Sequence, residues 1–346
     1  MPSIYEYSKD ELAELLVAEP RYRIDQVWHG LWSDGQSLEA ITTIPKTLRA
    51  QLSDRFPASL DVVNDVASDH GATRKWVFRL FDGATIETVL MGYEDRVTVC
   101  VSSQAGCAMG CTFCATGQAG FTRHLSAGEV LEQVMFAARA AAPRRVSNVV
   151  FMGMGEPLAN YLVTMDVVKR LHEYRDLSAR HITVSTVGVA PAIERMAKSG
   201  LPLTLAVSLH SANNASRSDL VPLNRRYPLE RLHDACLYWM NTTGRRLSFE
   251  WALIDGVNDR ESDVDELARY ASSLRAHVNL IPLNPTPGYL VRGSSSQRVH
   301  DFREGLVARG VNATVRNTRG RSIDAACGQL AAVTNARHKS IPVRSG

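Results

Sequence analysis

Six cysteines in 346 residues are too few to build a fold on disulfides. No run of the roughly 18 apolar residues that a membrane span needs occurs in the chain. The opening stretch, MPSIYEYSKDELAELL, carries acids and no long apolar segment, so no secretory signal is expected. Internal repeats are lacking. So are a GxSxG elbow, a P-loop and a GxGxxG turn after a strand, which leaves hydrolase and nucleotide-fold readings without support. Together these absences predict a soluble cytoplasmic protein with reduced thiols.

Hydrophobic residues make up 45% of the chain, enough for one large catalytic domain with a small appendage. The net charge is +3, but residues 298–346 hold nine Lys/Arg against three acids, a net +6. Such a stretch suits phosphate contact and equally a solvated face with a frayed tail.

Residues 8–53 read as helical: Ser8 precedes the run Leu12 to Val17, a second stripe joins Tyr22, Ile24, Val27, Leu31 and Trp32, and a third runs from Ile44-Pro45 to Leu52. Segments 75–81, 85–91 and 96–102 are rich in β-branched and apolar residues and form a meander, with Asp82-Gly83 as a turn. Within it Glu87 reads locally as a solvent-side strand residue and Cys100 as a small buried hydrophobe. Ser126-Ala-Gly-Glu129 is a capping box opening a helix. Strands at 148–152, 181–187, 203–209, 247–253, 277–283 and 313–316 then alternate with helices near 164–172, 190–199, 229–241, 261–275 and 296–309. Repeated βα units predict an α/β fold, a full or partial (βα) barrel, with a small helical N-terminal domain. The expected boundaries are 1–57 helical, a point of RNA contact; 58–99 meander; 100–336 barrel with a catalytic C-terminal loop; and 337–346 flexible tail.

Chemistry concentrates in Cys107-Ala-Met-Gly-Cys111-Thr-Phe-Cys114. Three thiolates at the spacing C-x3-C-x2-C can ligate three irons of a [4Fe–4S] cube and leave the fourth iron open, usually to S-adenosylmethionine. Gly106 and Gly110 allow a tight loop, and Phe113 can shield the cluster. A zinc site remains open, with His124 as fourth ligand, although no second cysteine pair accompanies the triplet. In such barrels function gathers at the C-terminal strand ends. Those ends are polar: Gly153-Met-Gly155-Glu156-Pro157, Ser185 and Thr186 before Gly188, Ser208-Leu209-His210, and Asn284-Pro285. Cys327, flanked by small residues, reads locally as a buried structural cysteine.

The stretches CVSSQAGCAMGCTFCATGQAG (100–120), VVFMGMGEPLANY (149–161), ITVSTVG (182–188), LAVSLH (205–210), NLIPLNP (279–285) and IDAACGQL (323–330) together resemble the dual-specificity RNA methyltransferases. These radical S-adenosylmethionine enzymes methylate C2 of adenosine in bacterial 23S rRNA and in tRNA. The resemblance implies that Cys107, Cys111 and Cys114 ligate the cluster. It implies that Gly155, Glu156, Ser185, Ser208, Leu209, His210 and Asn284 bind S-adenosylmethionine, two molecules per turnover. Cys327 would carry the methyl, Cys100 would form a transient disulfide with it, and Glu87 would be the acid–base residue. These roles replace the local readings of all three. An external one-electron reductant of flavodoxin type is implied, and the enzyme is expected to be a monomer. RNA contact is expected from the N-terminal helices, the 298–321 region, Arg225 and Arg226. Related enzymes that methylate C8 of the same rRNA adenosine share all five of these cysteines. The GMGEPL and AACGQL wording sits nearer the C2 enzymes, and C8 methylation is the alternative.

Overall fold

The computed structural model describes residues 3–283, 292–316, 323 and 330. The chain opens with three helices, α1 (Lys9–Leu15), α2 (Arg21–Trp32) and α3 (Lys46–Arg55). Ser8 caps α1 reciprocally: its hydroxyl accepts the Glu11 N–H, and the Glu11 carboxylate accepts the Ser8 N–H at 2.7 Å. Most of the predicted apolar stripes are buried, but Val17 and Tyr22 are exposed, and Trp32 packs edge-on against Tyr5 and Tyr174 at 5.4 and 5.2 Å. Residues from Ile4 to Leu330 thereby share one hydrophobic core.

Ten strands form one sheet: β1 (Asp61–Ser68), β2 (Thr73–Arg79), β3 (Thr85–Gly92), β4 (Val97–Cys100), β7 (Asn148–Phe151), β8 (Ile182–Thr186), β9 (Thr204–Ser208), β10 (Leu247–Leu253), β11 (His277–Pro282) and β12 (Ala313–Val315), in that spatial order. A separate hairpin pairs β5 (Gln104–Gly106) with β6 (Phe121–His124). β1 to β4 are antiparallel, and from β4 onward every pairing is parallel. Sequence reasoning missed β1, whose Asp and Asn residues are poor strand formers; its pairing along β2 overrides that propensity. The crossovers carry α5 (Ala127–Ala141), α6 (Tyr161–Tyr174), α7 (Ala190–Ala197), α9 (Leu229–Thr243), α10 (Glu261–Ser273) and α11 (Ser296–Ala308). The short helices α4 (Ala115–Ala119) and α8 (Asn214–Leu220) were not anticipated.

The sheet curls strongly. Arg316, just after β12, reaches the Met152 sulfur just after β7 at 3.6 Å, although five strand spacings separate them, about 24 Å in a flat sheet. Among the described strands β1 and β12 do not pair, so the barrel is partial, not closed. Register assigns its inner face. Cys100 pairs with Val150, Val150 with Thr183, Ala206 with Ser185 and Ser248, and Glu250 with Ser208 and Asn279. The period of two then sends Met152, Ser185, Ser208, Glu250 and Arg316 to one cavity.

Candidate active site

That cavity opens at the C-terminal ends of the parallel strands, with Cys111, Phe113 and Cys114 at its edge. The cysteine loop is pinched at its base, where the Cys107 N–H donates to the Gly120 carbonyl at 2.8 Å. Gly106 has φ +75°, and a Cβ there would lie 2.0 Å from the Gly120 oxygen, so only glycine closes the loop. Within it the Gln118 side chain donates to the Cys111 carbonyl at 3.0 Å. Burial pushes the Cys107 thiol up to about 12 and the Cys111 thiol higher still, and the neighbouring thiols add mutual repulsion. A cationic group that draws off three thiol protons fits such a loop. Among the described residues no group of three His, Cys, Asp or Glu side chains is arranged to hold a metal ion. A cube asks for no such convergence, since each thiolate takes a different iron. The donor set and its open, cavity-facing side fit a three-cysteine cluster better than zinc.

Beside the loop, the 153–156 turn is laced to the segment entering it. The N–H groups of Ser103 and Gln104 donate to the Met154 carbonyl, and the Glu156 N–H donates to Gln104 Oε1 at 2.8 Å. Gly155, at φ +102°, could carry no Cβ, which would stand 2.5 Å from that of Gln104. Glu156 is buried, and its oxygens accept the N–H groups of Leu158 and Val187 at 2.9 and 2.8 Å. Burial raises its pKa to about 7 against those bonds. Its remaining lone pairs line the cavity, where an ammonium would meet them.

His210 is buried with its ring 4.5 Å from Phe113. Its Nδ1 accepts the Ala252 N–H at 2.9 Å, which puts the ring proton on Nε2. Burial, then the nearby Arg217, push its pKa down to about 3. The neutral ring is therefore a hydrogen-bond donor at the cavity wall. Ser185 and Ser208 also line the cavity. Leu209 does not: its side chain is in the core, its N–H donates to the Glu250 carbonyl and its carbonyl accepts from Arg217. Of the residues expected to bind S-adenosylmethionine, Leu209 alone among those described is turned away, because it has the opposite parity to Ser208 and His210.

Glu87 is fully buried, which corrects its local reading as a solvent-side residue. β3 is covered on both faces, by α5 outside and by the barrel interior inside. Glu87 is two residues from Val89, which pairs with Cys100, so Glu87 and Cys100 share the inner face. The Ser102 hydroxyl donates to the Glu87 carbonyl at 2.6 Å and accepts the Met154 N–H at 2.9 Å, tying this ladder to the 153–156 turn. Cys327 and Asn284 lie outside the described residues. Leu330 is described; it lines the cavity, and its carbonyl accepts from the Thr116 hydroxyl.

Sequence reasoning missed three of the site's polar residues. Gln104 holds the Glu156 turn. Arg217, buried with no carboxylate partner among the described residues, donates to the carbonyls of Val187 and Leu209 at 2.7 and 3.0 Å and so staples two strand ends. Glu250 accepts from Ser248 and Asn279 and pairs with Arg316 at 3.4 Å across the cavity. Parity along β10 was the available signal for Glu250; nothing local marked the others.

The radical SAM superfamily model matches residues 101–271. A probable dual-specificity RNA methyltransferase RlmN of Frankia alni is 48% identical over 96% of this chain and 84% of its own length. One from Chloroflexus aurantiacus is 45% identical over 99% of this chain and 94% of its own. A radical SAM methyltransferase from Sphaerobacter thermophilus superposes with a TM-score of 0.92 at 51% identity, over 96% of this chain and all of the other. With the three-cysteine loop at the mouth of a partial barrel, these likenesses establish that the chain belongs to the RlmN family of dual-specificity RNA methyltransferases in the radical SAM superfamily.

Proposed function

We propose that the protein methylates C2 of a specific adenosine in 23S rRNA and in tRNA, with Cys327 as methyl carrier and Cys100 as its resolving partner. The observation that carries this reading is the continuous inner face on which Glu87 and Cys100 lead into the cavity lined by Cys111 and Cys114. C2 lies between two ring nitrogens and is too electron-poor to attack a sulfonium methyl. A [4Fe–4S] cluster held by Cys107, Cys111 and Cys114, with S-adenosylmethionine, supplies a hydrogen-abstracting carbon radical when bound.

The chain's own residues do the rest. Glu156 receives the ammonium of S-adenosylmethionine, and Ser185, Ser208 and His210 Nε2–H donate to its polar groups; the Gly155 backbone and Asn284 complete the contacts. The Cys327 thiolate takes the methyl of one molecule. Once that carbon is joined to C2, the adduct yields one electron to a one-electron acceptor and its C2 proton to the Glu87 carboxylate. The Cys100 thiolate then attacks the Cys327 sulfur. The S–S bond forms as the S–C bond breaks, and the carbon takes the bond pair and a proton to become the methyl group. An external reductant reopens the disulfide. The position of Leu330 supports the carrier role: it lines the cavity, and three residues of chain, the interval from Cys327, span at most about 11 Å. The base must leave its stack to reach this depth.

The test is a nucleoside mass spectrum after anaerobic incubation of reconstituted enzyme with unmodified 23S rRNA fragment or tRNA, S-adenosylmethionine and a reductant. 2-Methyladenosine is expected from both RNAs. 8-Methyladenosine would select the alternative specificity, and neither product from cluster-loaded enzyme would overturn the reading.

A further inference from the structure

Lys75 stands on β2 between Arg74, which pairs with Asp65, and the buried Trp76. Trp76, Val77 and Phe78 are all buried, and so is Lys75, at 6% exposure. Its Nζ lies 3.1 Å from Glu87 Oε2. Taking an ammonium and a carboxylate out of water costs several kcal/mol per ion, and their attraction seldom returns more than that. Packing does not ask for the pair, since a methionine would fill the same volume without the cost. Register shows where the pair points. Lys75 is opposite Val89 on β3, Val89 is opposite Cys100 on β4, and Glu87 is the next inner-face residue along β3. Cation, carboxylate and resolving cysteine are therefore consecutive neighbours on the interior of the barrel.

We infer that Lys75 is the positioning residue of the proton-abstraction step, holding Glu87 charged and aimed until the C2 proton arrives. This rests on the C2 reading above. A carboxyl group removed from water without a partner keeps its proton and cannot serve as a base, whereas a cation within hydrogen-bond reach favours the charged form. Lys75 supplies that cation from a strand that the expected cofactor contacts do not touch. When Glu87 takes the proton, the C2–H bond pair stays with the base and Lys75 is left beside a neutral acid. That arrangement favours release of the proton to solvent and restores the pair for the next turnover. Lys75 touches Glu87 and acts through it.

The experiment compares wild type, Lys75→Met and Lys75→Arg as cluster-reconstituted full chains with unmodified RNA, S-adenosylmethionine and reductant. Three quantities are read: 5′-deoxyadenosine formed, 2-methyladenosine released, and covalent protein–RNA adduct on a denaturing gel. For Lys75→Met, 5′-deoxyadenosine should form within a few-fold of wild type, while release falls about 100-fold, the usual weight of a general base, and adduct accumulates. Lys75→Arg keeps a cation beside Glu87 and should recover release to within about tenfold of wild type.

Release by Lys75→Met at the wild-type rate would overturn the inference while leaving the C2 chemistry in place. Equal adduct in the Met and Arg variants would also overturn it, because the charge would then be irrelevant. Should Lys75→Met fail to fold, Lys75→Arg decides alone: recovered release without adduct supports the inference, and adduct accumulation sinks it. 8-Methyladenosine from wild type would remove the C2 reading, and this inference with it.

Discussion

At the scale of single residues, His210 shows what enclosure does to a titrating group. It sits at φ 58°, in the left-handed region, and its Nδ1 is committed to the Ala252 N–H. Its folded pKa of about 3 lies below the ordinary 6.5. Between those values the unfolded chain binds a proton that the folded chain refuses, so stability falls as the pH drops from about 6.5 towards 3. At about 1.4 kcal/mol per unit, moving from pH 6.5 to 5.0 costs about 2 kcal/mol. The cluster-free protein should therefore lose about 2 kcal/mol more than His210→Gln between pH 7.0 and 5.0, read from urea midpoints. Equal losses would show that solvent protons reach the ring. In the enzyme, the same enclosure keeps the ring a neutral donor at any physiological pH.

At the scale of elements, α5 decides where β3 and β4 lie. Ser126 starts the helix with a reciprocal cap to Glu129, as its sequence predicts. One turn on, Gln133 is fully buried against the outer face of the sheet. Its Oε1 accepts from the Thr88 hydroxyl and the Ser102 N–H, both at 2.8 Å, and its Nε2 donates to the Ser102 and Glu129 carbonyls at 3.1 and 3.2 Å. These bonds pin from outside the same two segments that present Glu87 and Cys100 inside. Gln133→Leu strands three buried polar groups, each costing about 1–3 kcal/mol. A loss of about 3 kcal/mol or more is expected in chemical denaturation. A loss under about 1 kcal/mol would show that the strand pair keeps its register unaided.

On the scale of the whole molecule, the N-terminal helices are fastened to the barrel by polar as well as apolar contacts. Glu132 of α5 accepts from the Ser3 hydroxyl at 3.1 Å and the Ser59 N–H at 2.9 Å. The Arg175 guanidinium caps the carbonyls of Trp32 and Ser33 at 2.6 Å, and Glu6 accepts the Gly128 N–H at 2.9 Å. Deleting residues 1–57 would bare the apolar surface under Tyr5, Trp32, Leu48 and Leu52 and leave Glu132 underbonded. The truncated chain should therefore fail to accumulate in soluble form. A monodisperse, cluster-binding truncation would show instead that the barrel stands alone. The basic run has a different outcome. Of its described members, Arg303 pairs with Glu304, Arg309 with Glu261 and Asp265, and Arg316 with Glu250. Arg309 and Arg316 thus meet carboxylates from outside the run.

The sequence by itself determined what depends on near neighbours. Helix starts at Ser8 and Ser126 were legible because a cap lies within three residues of its partner. The cysteine loop was legible because all three thiols fall in one turn of chain, and Ser185, Ser208 and Glu156 because polar residues at strand ends share one end of a parallel sheet. Tertiary structure alone decided which side of a strand is solvent. Alternation gives parity but not direction, so Glu87 read as exposed when both faces of β3 are covered. It alone joined Lys75 to Glu87 across two strands, and Arg316 to Glu250 and Met152 across the cavity. Those pairings depend on register and on the curl of the sheet, which arise when segments far apart in sequence pack, and no local pattern encodes that distance.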